Sequence, residues 1–527
     1  MSQVKIKRAL ISVSDKNGLM ELAAFLDSRK VEIFSTGGTL RVLQEAGIKA
    51  KPVEKITGFP EMMDGRVKTL HPKIHGGLLF RRDKASHKKQ AAKHGIKPID
   101  LVVVNLYPFE AVTAKPGVAL EDAVENIDIG GPSMLRSAAK NYAAVTVVTD
   151  PADYSRVLDE MKKNQGAVSA GLRAELALKV FQKTSAYDGA IAAFLAMRPE
   201  FKTKSKAQGL PAELHLDYRK TADLRYGENP HQRAAFYAPA RGQAALAFQQ
   251  HHGKELSFNN YLDMEAAVDI LREFKEPAVC VIKHNNPSGI GQDADLVRAM
   301  EMAVDSDPLS AFGGIVGINR RCDLRTTAAL LAKLGFFEVI VAPTYEPKAL
   351  EALKSRKNLR IMETGALNKD AGWDVRILKS GALVQDRDQP VPSYAAALKK
   401  DLKFVTKAKL SGKELEDLIF AWTCAKVVKS NAIVLTQGRK TVGIGAGQMS
   451  RVDSVHIACR KAGERARGAM LGSDAFFPMP DGVEAAAANG IRAIIQPGGS
   501  IKDPEVIAAC DRMGVAMAFT GRRHFKH

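Results

Sequence analysis

Residues 278–289 read Ala-Val-Cys-Val-Ile-Lys-His-Asn-Asn-Pro-Ser-Gly, an apolar run that ends in two adjacent proton-handling side chains. The run predicts a buried strand, Ala278–Ile282, that opens into a loop and a Pro-Gly turn. In α/β proteins the loops after strands carry much of the chemistry. Histidine, with a reference pKa of about 6.5, exchanges protons near neutrality, and a lysine beside it in a dry pocket favours the neutral imidazole. The stretch therefore predicts an α/β fold and a candidate proton-transfer pair, Lys283 and His284; the alternative is a solvated lysine and a histidine hydrogen-bonded in a turn.

The alternation of strands and helices continues on both sides of this stretch. Two α/β halves that meet near residues 370–410 account for the pattern. The predicted helices are Glu265–Phe274, Asp295–Ser306, Gly412–Lys426, Val452–Ala466 and Gly482–Asn489, and the predicted strands are Ala278–Ile282, Gly314–Ile318, Phe337–Val341, Ala432–Leu435, Thr441–Ile444 and Ala493–Gln496.

The first part of the chain alternates in the same way, which predicts a mainly parallel sheet covered by helices. A polar, lysine-rich segment at 198–209 predicts a linker, so the expected organisation is a domain at 1–197, the linker, and a region at 210–527. The predicted strands are Ala9–Val13, Val31–Phe34, Asp100–Asn105 and Ala143–Val148, and the predicted helices are Gly18–Arg29, Leu40–Ala46, Leu120–Asn126, Pro132–Lys140 and Ser169–Met197.

The composition is that of an ordinary globular protein, with 46% apolar and 26% charged residues, which excludes a disordered or fibrous chain. A length of 527 residues predicts two to four domains. The formal charge of +19 indicates anionic partners, either nucleic acid or small phosphorylated or carboxylated substrates. The basic residues are spread along the chain without a zinc-finger, RNA-recognition or basic-zipper signature, which disfavours nucleic acid.

The five cysteines are scattered and form no C-x-x-C pair, which argues against a disulfide framework or a zinc site and favours a reducing compartment. The start has too short an apolar core for a secretory signal, and no run approaches the roughly 20 apolar residues of a membrane span. We therefore expect a cytoplasmic protein without a membrane partner. Zinc deamination is excluded because H-x-E and P-C-x-x-C are missing, and a cysteine nucleophile is disfavoured because no base adjoins any of the cysteines.

Two loops that follow predicted strands are candidate anion sites. They read Ser-Val-Ser-Asp-Lys (12–16) and Ser-Thr-Gly-Gly-Thr (35–39), and small residues at a helix start expose backbone N–H groups to phosphate. A basic segment, 65–72, places Arg66 and Lys68 two residues apart, so that both point the same way if the segment is extended. The alternatives are an ordinary glycine turn and a solvated basic loop.

An acid, Asp128, precedes a Gly-Gly-Pro helix start, where a capping residue is as plausible as a catalyst. Lys140 ends the helix that follows, and at about 1.5 Å per residue its backbone lies more than about 10 Å from that of Asp128. The glycine run 443–447 is not a dinucleotide fingerprint, because Gln448 stands where G-x-G-x-x-G needs its last glycine.

Taken together, these motifs resemble the AICAR transformylase/IMP cyclohydrolase family of purine biosynthesis. S-V-S-D-K (12–16), S-T-G-G-T (35–39), G-R-V-K-T-L-H-P (65–72), N-L-Y-P-F (105–109) and I-D-I-G-G (127–131) resemble its cyclohydrolase domain. L-R-Y-G-E-N-P-H-Q (224–232), K-H-N-N-P-S-G (283–289), K-S-N (429–431), G-I-G-A-G-Q (443–448) and S-D-A-F-F-P (473–478) resemble its transformylase domain. The match keeps the family's order from about Leu10 to Arg523.

The resemblance implies a methylglyoxal-synthase-like α/β domain followed by two cytidine-deaminase-like α/β units, working as a homodimer. It implies that the carboxy-terminal region transfers a formyl group from 10-formyltetrahydrofolate to AICAR, and that the amino-terminal domain closes the product into IMP with loss of water. Folate is then a co-substrate, and neither a metal nor a tightly bound cofactor is expected. The alternatives are a chain that retains one of the two activities, and a basic nucleic-acid-binding protein.

The resemblance also implies residue roles for formyl transfer. His284 would remove the proton of the AICAR 5-amino group, and Lys283 would keep that base neutral and stabilise developing negative charge. Glu338 stands where vertebrate members have Asp, which changes the reach of the carboxylate. Residues implied to grip AICAR are Arg225, Tyr226 and Arg523, and those implied to line the nucleotide and folate sites are Phe312, Gly313, Glu338, Asn431, Arg451, Phe476 and Asp481.

For ring closure the resemblance implies a set of proton-transfer residues, Lys68, Tyr107, Asp128 and Lys140, without assigning which is acid and which is base. Residues implied to hold the substrate and its phosphate are Ser14, Lys16, Thr36, Gly37, Gly38, Thr39, Arg66, Thr69 and Asn105.

Overall fold

The computed structural model describes residues 3–115, 117–196, 198–201, 209–210, 213–214, 216–239, 246–367, 372–391, 398 and 400–527. The chain divides into two compact units, Met1–Leu216 and Asp217–His527. Most of the predicted linker, 202–208, and parts of the predicted junction, 370–371, 392–397 and 399, lie outside the described residues. The predicted domain limits therefore stay predictions.

The amino-terminal unit is built on a five-stranded sheet whose strands all run parallel, as predicted. In sheet order the strands are Ala50–Pro52, Glu32–Ser35, Arg8–Val13, Leu101–Asn105 and Thr146–Val148. A short antiparallel pair joins Val4–Lys5 to Ala167–Val168. The helices are Leu19–Ser28, Gly37–Glu45, Glu54–Thr57, Pro72–Leu79, Ala85–Lys93, Phe109–Thr113, Leu120–Glu125, Gly130–Lys140, Tyr154–Lys163 and Ala170–Ala196, with 3-10 turns at Met63–Gly65, Pro151–Asp153 and Pro199–Phe201. The central strands are buried on both faces, as a covered parallel sheet requires.

The carboxy-terminal unit contains two six-stranded mixed sheets with the same strand order. The first runs Gln249–His252, Arg360–Glu363, Val339–Ala342, Ile315–Ile318, Ala278–Lys283 and Asn286–Gln292. The second runs Lys403–Phe404, Ala516–Phe519, Ala493–Gln496, Met470–Ser473, Ile433–Thr436 and Thr441–Gly445. Two antiparallel hairpins pair Tyr218–Leu224 with Ala234–Pro239 and Trp373–Leu378 with Gly381–Asp386. The helices are Phe258–Leu271, Leu296–Ser306, Pro308–Ala311, Leu324–Lys333, Pro347–Lys354, Gly412–Lys426, Arg451–Ala462, Asp481–Ala488 and Asp503–Met513, with a 3-10 turn at Gly463–Ala466.

The two halves of this unit share one arrangement of strands and helices, which confirms the predicted pair of α/β halves. Each begins a helix with a serine capping box, at Ser257 and at Ser411. Each places Gly-Ile-Gly on an edge strand, at 289–291 and at 443–445, with the same spacing of 154 positions between copies (257 to 411, 289 to 443). The edge strands adjoin, since the Gln292 N–H donates to the Arg439 carbonyl over 3.0 Å.

Glycines on these edge strands let a helix approach closely. A Cβ atom at Gly443 or Gly445 would collide with a backbone carbonyl oxygen of the helix Arg451–Ala462, and one at Gly289 or Gly291 would collide with the helix Leu296–Ser306. The glycine run that imitates a dinucleotide fingerprint is therefore a packing feature of the strand.

The predicted Pro-Gly turn is wrong. The chain reverses at His284 and Asn285, and Pro287 to Gly289 lie within the strand Asn286–Gln292. An edge strand tolerates proline, and the register shifts opposite Pro287. The helix predicted at Glu265–Phe274 begins seven residues earlier, at Phe258, because the Ser257 capping box starts it.

All five cysteines are buried and unpaired, and burial raises the pKa of each thiol, which confirms that none is a poised nucleophile. Within the described ranges, none of the helices combines the length and the apolar character that crossing a bilayer requires.

Candidate active sites

Loops of the amino-terminal unit meet at the carboxyl edge of its sheet. Asn105 ends one central strand, and its Oδ1 accepts from the backbone N–H of Ser14 (2.5 Å) and of Asp15 (2.9 Å) in the loop after the neighbouring strand. Ser12 Oγ and Thr36 Oγ1 lie 2.8 Å apart and join that loop to the next one. The parallel strands thus bring together Ser14, Thr36 and Asn105, three of the predicted binding residues.

The helix Gly37–Glu45 begins at the same edge and offers open backbone. Gly37 has a positive φ of 43°, and a Cβ at Gly38 would meet no atom within 4 Å. Thr39 instead anchors the helix to the sheet: its buried Oγ1 accepts from the Val13 N–H and donates to the Val13 carbonyl. The glycines therefore leave N–H groups free at the positive end of a helix, where an anion is favoured.

Lys68 faces this helix start. A Cβ at Gly37 would lie 3.3 Å from the Lys68 Nζ, and that ammonium pairs with Glu61 Oε2 at 2.5 Å. Arg66 pairs instead with the exposed Glu125. The segment turns through a 3-10 helix just before Arg66, so the two basic side chains contact different acids rather than acting as the extended pair that the spacing predicts.

Asp128 and Tyr107 complete this group of side chains. The Asp128 Oδ1 accepts from the Gly131 N–H over 2.8 Å. Burial raises the pKa of Asp128, and the backbone N–H groups of Gly131 and Tyr107 oppose the rise. Burial, then the negative charges of Asp128 and Glu61, raise the pKa of Tyr107, which keeps its hydroxyl protonated. We call Glu61, Lys68, Tyr107 and Asp128 the amino-terminal cluster.

The remaining predicted residues of this unit lie at different distances from the cluster. Thr69 adjoins it, because a Cβ at Gly130 would lie 2.8 Å from the Thr69 Oγ1. Lys16 is exposed, with its Nζ 3.4 Å from the Ser14 carbonyl oxygen. Lys140 is not brought to the cluster: it ends the helix Gly130–Lys140 and lines a separate groove of about 1150 Å³ together with Arg8. Its part in proton transfer stays a prediction.

In the carboxy-terminal unit, the predicted pair stands at the end of the strand Ala278–Lys283. The Lys283 Nζ donates to the Phe312 carbonyl over 2.6 Å, and a Cβ at Gly313 would lie 3.3 Å from the same ammonium. The Phe312 and Phe336 rings pack 5.6 Å apart and are both half-exposed. Lys283 also lines a cleft of about 250 Å³ together with the hydroxyls of Ser288, Ser306 and Ser310. The lysine is held in place beside Phe312 and Gly313, and the part of these two residues in binding nucleotide or folate stays a prediction.

His284 is exposed at the tip of the hairpin, and both turn residues adopt positive φ angles, 53° at His284 and 61° at Asn285. The backbone N–H of Asn285 donates to the Asp263 Oδ1 over 2.6 Å. Positive φ at both positions is the pattern of a type I′ hairpin turn, where Asn-Gly, Asp-Gly and Gly-Gly are the usual pairs.

Arginines and carboxylates gather beside this turn. The Arg225 guanidinium lies 5.4 Å from the Tyr226 ring centroid. Glu338 Oε2 accepts from the Asn260 side chain over 3.3 Å and lies 3.8 Å from the Arg360 Nη1. Burial, with Arg225 nearby, lowers the pKa of Arg360, so the two guanidiniums share one region.

In the second half, Arg451 is part of the protein's own hydrogen-bond network. Its Nη1 donates to the Ser473 Oγ (2.8 Å) and the Asp474 Oδ1 (2.5 Å), and its Nη2 donates to the Asn431 Oδ1 (2.7 Å). The Asn431 amide nitrogen donates in turn to the carbonyls of Gln448 and Met449. The buried Arg451 therefore positions Asn431 and the loop behind it.

The other predicted residues of the second half lie at loop ends. Phe476 is half-buried, Asp481 begins the helix Asp481–Ala488 and is exposed, and the Arg523 guanidinium lies 4.3 Å from the Phe525 ring centroid. One contact joins the halves near His284: the Lys429 N–H donates to the Asn286 Oδ1 over 3.1 Å.

Four of the residues at these sites were not predicted from the sequence. Glu61, Asp263, Asn260 and Arg360 lie in no chemically suggestive spacing, and the fold alone brings them to Lys68, Asn285 and Glu338. The Ser-x-x-Asn capping box was a usable signal for the helix that carries Asn260 and Asp263.

Comparison with known proteins places these sites in context. The model of the AICARFT/IMPCHase bienzyme family matches residues 138–461, and the model of the MGS-like domain matches residues 18–133. The bifunctional purine biosynthesis protein PurH of Magnetococcus marinus is 52% identical, covering 99% of this chain and 100% of that protein. The protein of the same name from Chlorobium chlorochromatii is also 52% identical and covers 100% of both chains.

A solved structure, the crystal structure of ForH, is 37% identical and covers 36% of this chain and 98% of its own, with a TM-score of 0.33.

Proposed function

This chain belongs to the AICARFT/IMPCHase bienzyme family, and on that premise we propose that its amino-terminal unit carries the cyclohydrolase site and its carboxy-terminal unit the transformylase site. The chain is a bifunctional enzyme of purine biosynthesis, an AICAR transformylase and IMP cyclohydrolase. We propose 10-formyltetrahydrofolate as the formyl donor, bound as a co-substrate.

For formyl transfer, His284 acts as the general base. The AICAR 5-amino group is a poor nucleophile because its lone pair is delocalised into the ring. As its nitrogen bonds to the formyl carbon, His284 takes the proton, the bond from that carbon to folate N10 breaks, and the proton passes to N10. A positioned base contributes roughly 10²–10⁴-fold to the rate. The observation that carries this role is the exposed imidazole of His284 on a two-residue turn beside a fixed lysine.

Lys283 supports the transfer through its charge. Its ammonium is fixed by the Phe312 carbonyl, so it offers a preorganised positive charge to the oxyanion that develops at the formyl oxygen. Arg225 and Arg360 lie in one region and suit the AICAR phosphate, since guanidinium binds phosphate with two parallel hydrogen bonds.

For ring closure, the carboxamide nitrogen attacks the formyl carbon and the formyl oxygen leaves as water. Lys68 lies at the glycine helix start that suits a phosphate or an oxyanion. Asp128, whose pKa burial raises, is suited to take and return a proton, and the Tyr107 hydroxyl, whose pKa is also raised, stays protonated and is suited to donate a hydrogen bond to the substrate. Lys140 belongs to this set through the family resemblance alone.

Two variants test the assignment of the two reactions to two separate sites. With AICAR and 10-formyltetrahydrofolate, His284→Ala should lose formyl transfer by roughly 10²-fold or more, yet cyclise supplied formyl-AICAR at the wild-type rate. Lys68→Ala should do the reverse and accumulate formyl-AICAR. If both variants keep wild-type rates for both steps, the site assignment is wrong.

We further propose a homodimer in the cytoplasm. A reducing compartment fits five buried, unpaired cysteines. Trp373, Val375 and Ile377 alternate along one hairpin strand and share a face, with Val384 paired to Val375. Trp373 and Ile377 are 41% and 73% exposed, which leaves apolar surface for a second copy to cover.

A further inference from the structure

The turn that carries His284 is conformationally costly by itself. Left-handed backbone at a non-glycine residue is disfavoured, and His284 and Asn285 adopt it consecutively. Such conformations persist where surrounding contacts stabilise them, and they are concentrated at functional sites. The contacts of this turn should therefore identify what holds it.

Asp263, on the helix Phe258–Leu271, makes those contacts. Its Oδ1 accepts from the Asn285 N–H over 2.6 Å, and the backbone and charge of the neighbouring His284 also favour the ionised carboxylate. The Asn285 side-chain amide, with its nitrogen toward the acceptors, donates to the same Oδ1 and to the Leu262 carbonyl, each over 3.1 Å. One carboxylate thus binds the turn through both the backbone N–H and the side-chain amide of Asn285.

The second half of the unit contains a corresponding aspartate bound to a corresponding left-handed turn. Asp417 accepts from the N–H of Gly438 (2.9 Å) and of Arg439 (3.2 Å), which have φ angles of 63° and 60°. Each of these residues lies 154 positions after its counterpart (263 to 417, 284 to 438, 285 to 439). The clamped turn therefore belongs to the duplicated fold, and the first half places a histidine where the second half has glycine.

We propose that Asp263 is a positioning residue for formyl transfer, because its carboxylate clamps the left-handed turn that presents His284 to the substrate. The proposal rests on the assignment of His284 as the base. Asp263 does not touch the reacting atoms; it fixes the backbone from which the imidazole projects. A misplacement of about 1 Å at a reacting group can cost about 10²-fold in rate.

The matched pair Asp263→Ala and Asp417→Ala tests the proposal, since both remove the same kind of clamp. Asp263→Ala should lower kcat for formyl transfer by about 10- to 10²-fold, with KM for AICAR and the cyclohydrolase rate within about twofold. Asp417→Ala should leave kcat for transfer within about twofold, although both variants lower Tm. Equal loss of kcat in the two variants, or a wild-type kcat in Asp263→Ala, would overturn the proposal.

Two further variants separate positioning from folding. Asp263→Asn retains a carbonyl oxygen as acceptor and should keep more activity than Asp263→Ala. Asn285→Gly, added to Asp263→Ala, makes left-handed backbone easy and should recover part of the lost kcat. No recovery in that double variant counts against the clamp. A fully active His284→Ala in the same assay would refute the assignment of His284 as the base. An inactive His284→Ala, together with a wild-type kcat in Asp263→Ala, would refute only the positioning role of Asp263.

Discussion

At the scale of single residues, the two carboxyl groups of the amino-terminal cluster have different surroundings: one is paired with a lysine and the other is buried. Glu61 pairs with Lys68, so its charge is compensated at 2.5 Å. Asp128 instead accepts a hydrogen bond from the Gly131 backbone N–H, and burial raises its pKa. A carboxylate with such a pKa holds a proton more readily than a solvated one, which suits a group that must both accept and return a proton during ring closure.

Replacing Asp128 with Asn should abolish cyclisation while stabilising the unit at neutral pH. The amide keeps an oxygen acceptor for the Gly131 N–H but carries no buried charge. A carboxyl whose pKa is raised in the folded state destabilises the fold above its unfolded pKa, because the unfolded carboxyl ionises more readily. The stability gain should therefore be absent below the ordinary value of 3.8, develop up to the raised folded pKa, and stay constant above it. Thermal unfolding of both proteins from pH 3 to pH 8 (about five points) measures this; a gain that grows toward acid pH contradicts it.

Lys68, Tyr107 and Asp128 were predicted because the motifs that contain them resemble those of the family. Glu61 and Asp263 could not be found that way, since an isolated acid in a helix or a loop resembles a solvated side chain until the fold brings a partner to it. Arg451 shows the reverse case: the motif marks it as a ligand contact, yet the structure surrounds its guanidinium with Asp474, Ser473 and Asn431.

At the scale of elements, the proposed transformylase site depends on helices that lie close to edge strands. The helix Arg451–Ala462 reaches the strand Thr441–Gly445 only because Gly443 and Gly445 have no side chains. Residues 446–450 connect the two elements and contact Asn431. The position of that loop therefore follows from the strand–helix packing.

Gly445→Ala should destabilise the carboxy-terminal unit. The added methyl would collide with the Ser454 backbone carbonyl, which cannot rotate away, and overpacking typically costs about 1–3 kcal/mol. The matched control is Gly412→Ala, at a helix start where a Cβ meets no atom within 4 Å; it should be neutral or stabilise by up to about 1 kcal/mol. Urea unfolding measures both, and equal midpoints for the two variants would contradict the packing argument.

Periodicity predicted most of the central strands and helices because their apolar faces are buried. It misplaced the turn after Lys283, since Pro-Gly usually marks a turn, whereas here His284 and Asn285 turn under the clamp of Asp263. The hairpin Trp373–Asp386 was missed because it has no buried face of its own. Gly-Ile-Gly occurs at 289–291 and again at 443–445, and the distance between the two copies could have revealed the duplication from the sequence.

At the scale of the whole molecule, the proposed dimer can be tested on the hairpin. Ile377→Glu places a charge on its apolar face and should weaken self-association by about tenfold or more, since an unpaired charge is costly to bury. Leu383→Glu adds the same charge on the opposite face of the same hairpin and should have less effect. Light scattering across a dilution series measures both, and equal or absent effects would contradict a dimer contact on this face.

The central claim is that one chain carries two independent active sites, one in each compact unit. Its most direct test mixes His284→Ala with Lys68→Ala in the presence of AICAR and 10-formyltetrahydrofolate. Each variant alone should form IMP far more slowly than the wild type, whereas the mixture should recover IMP formation, because formyl-AICAR made by the second variant can diffuse to the intact cyclohydrolase site of the first. A mixture as inactive as its components, or a single variant that forms IMP at the wild-type rate, would contradict the account.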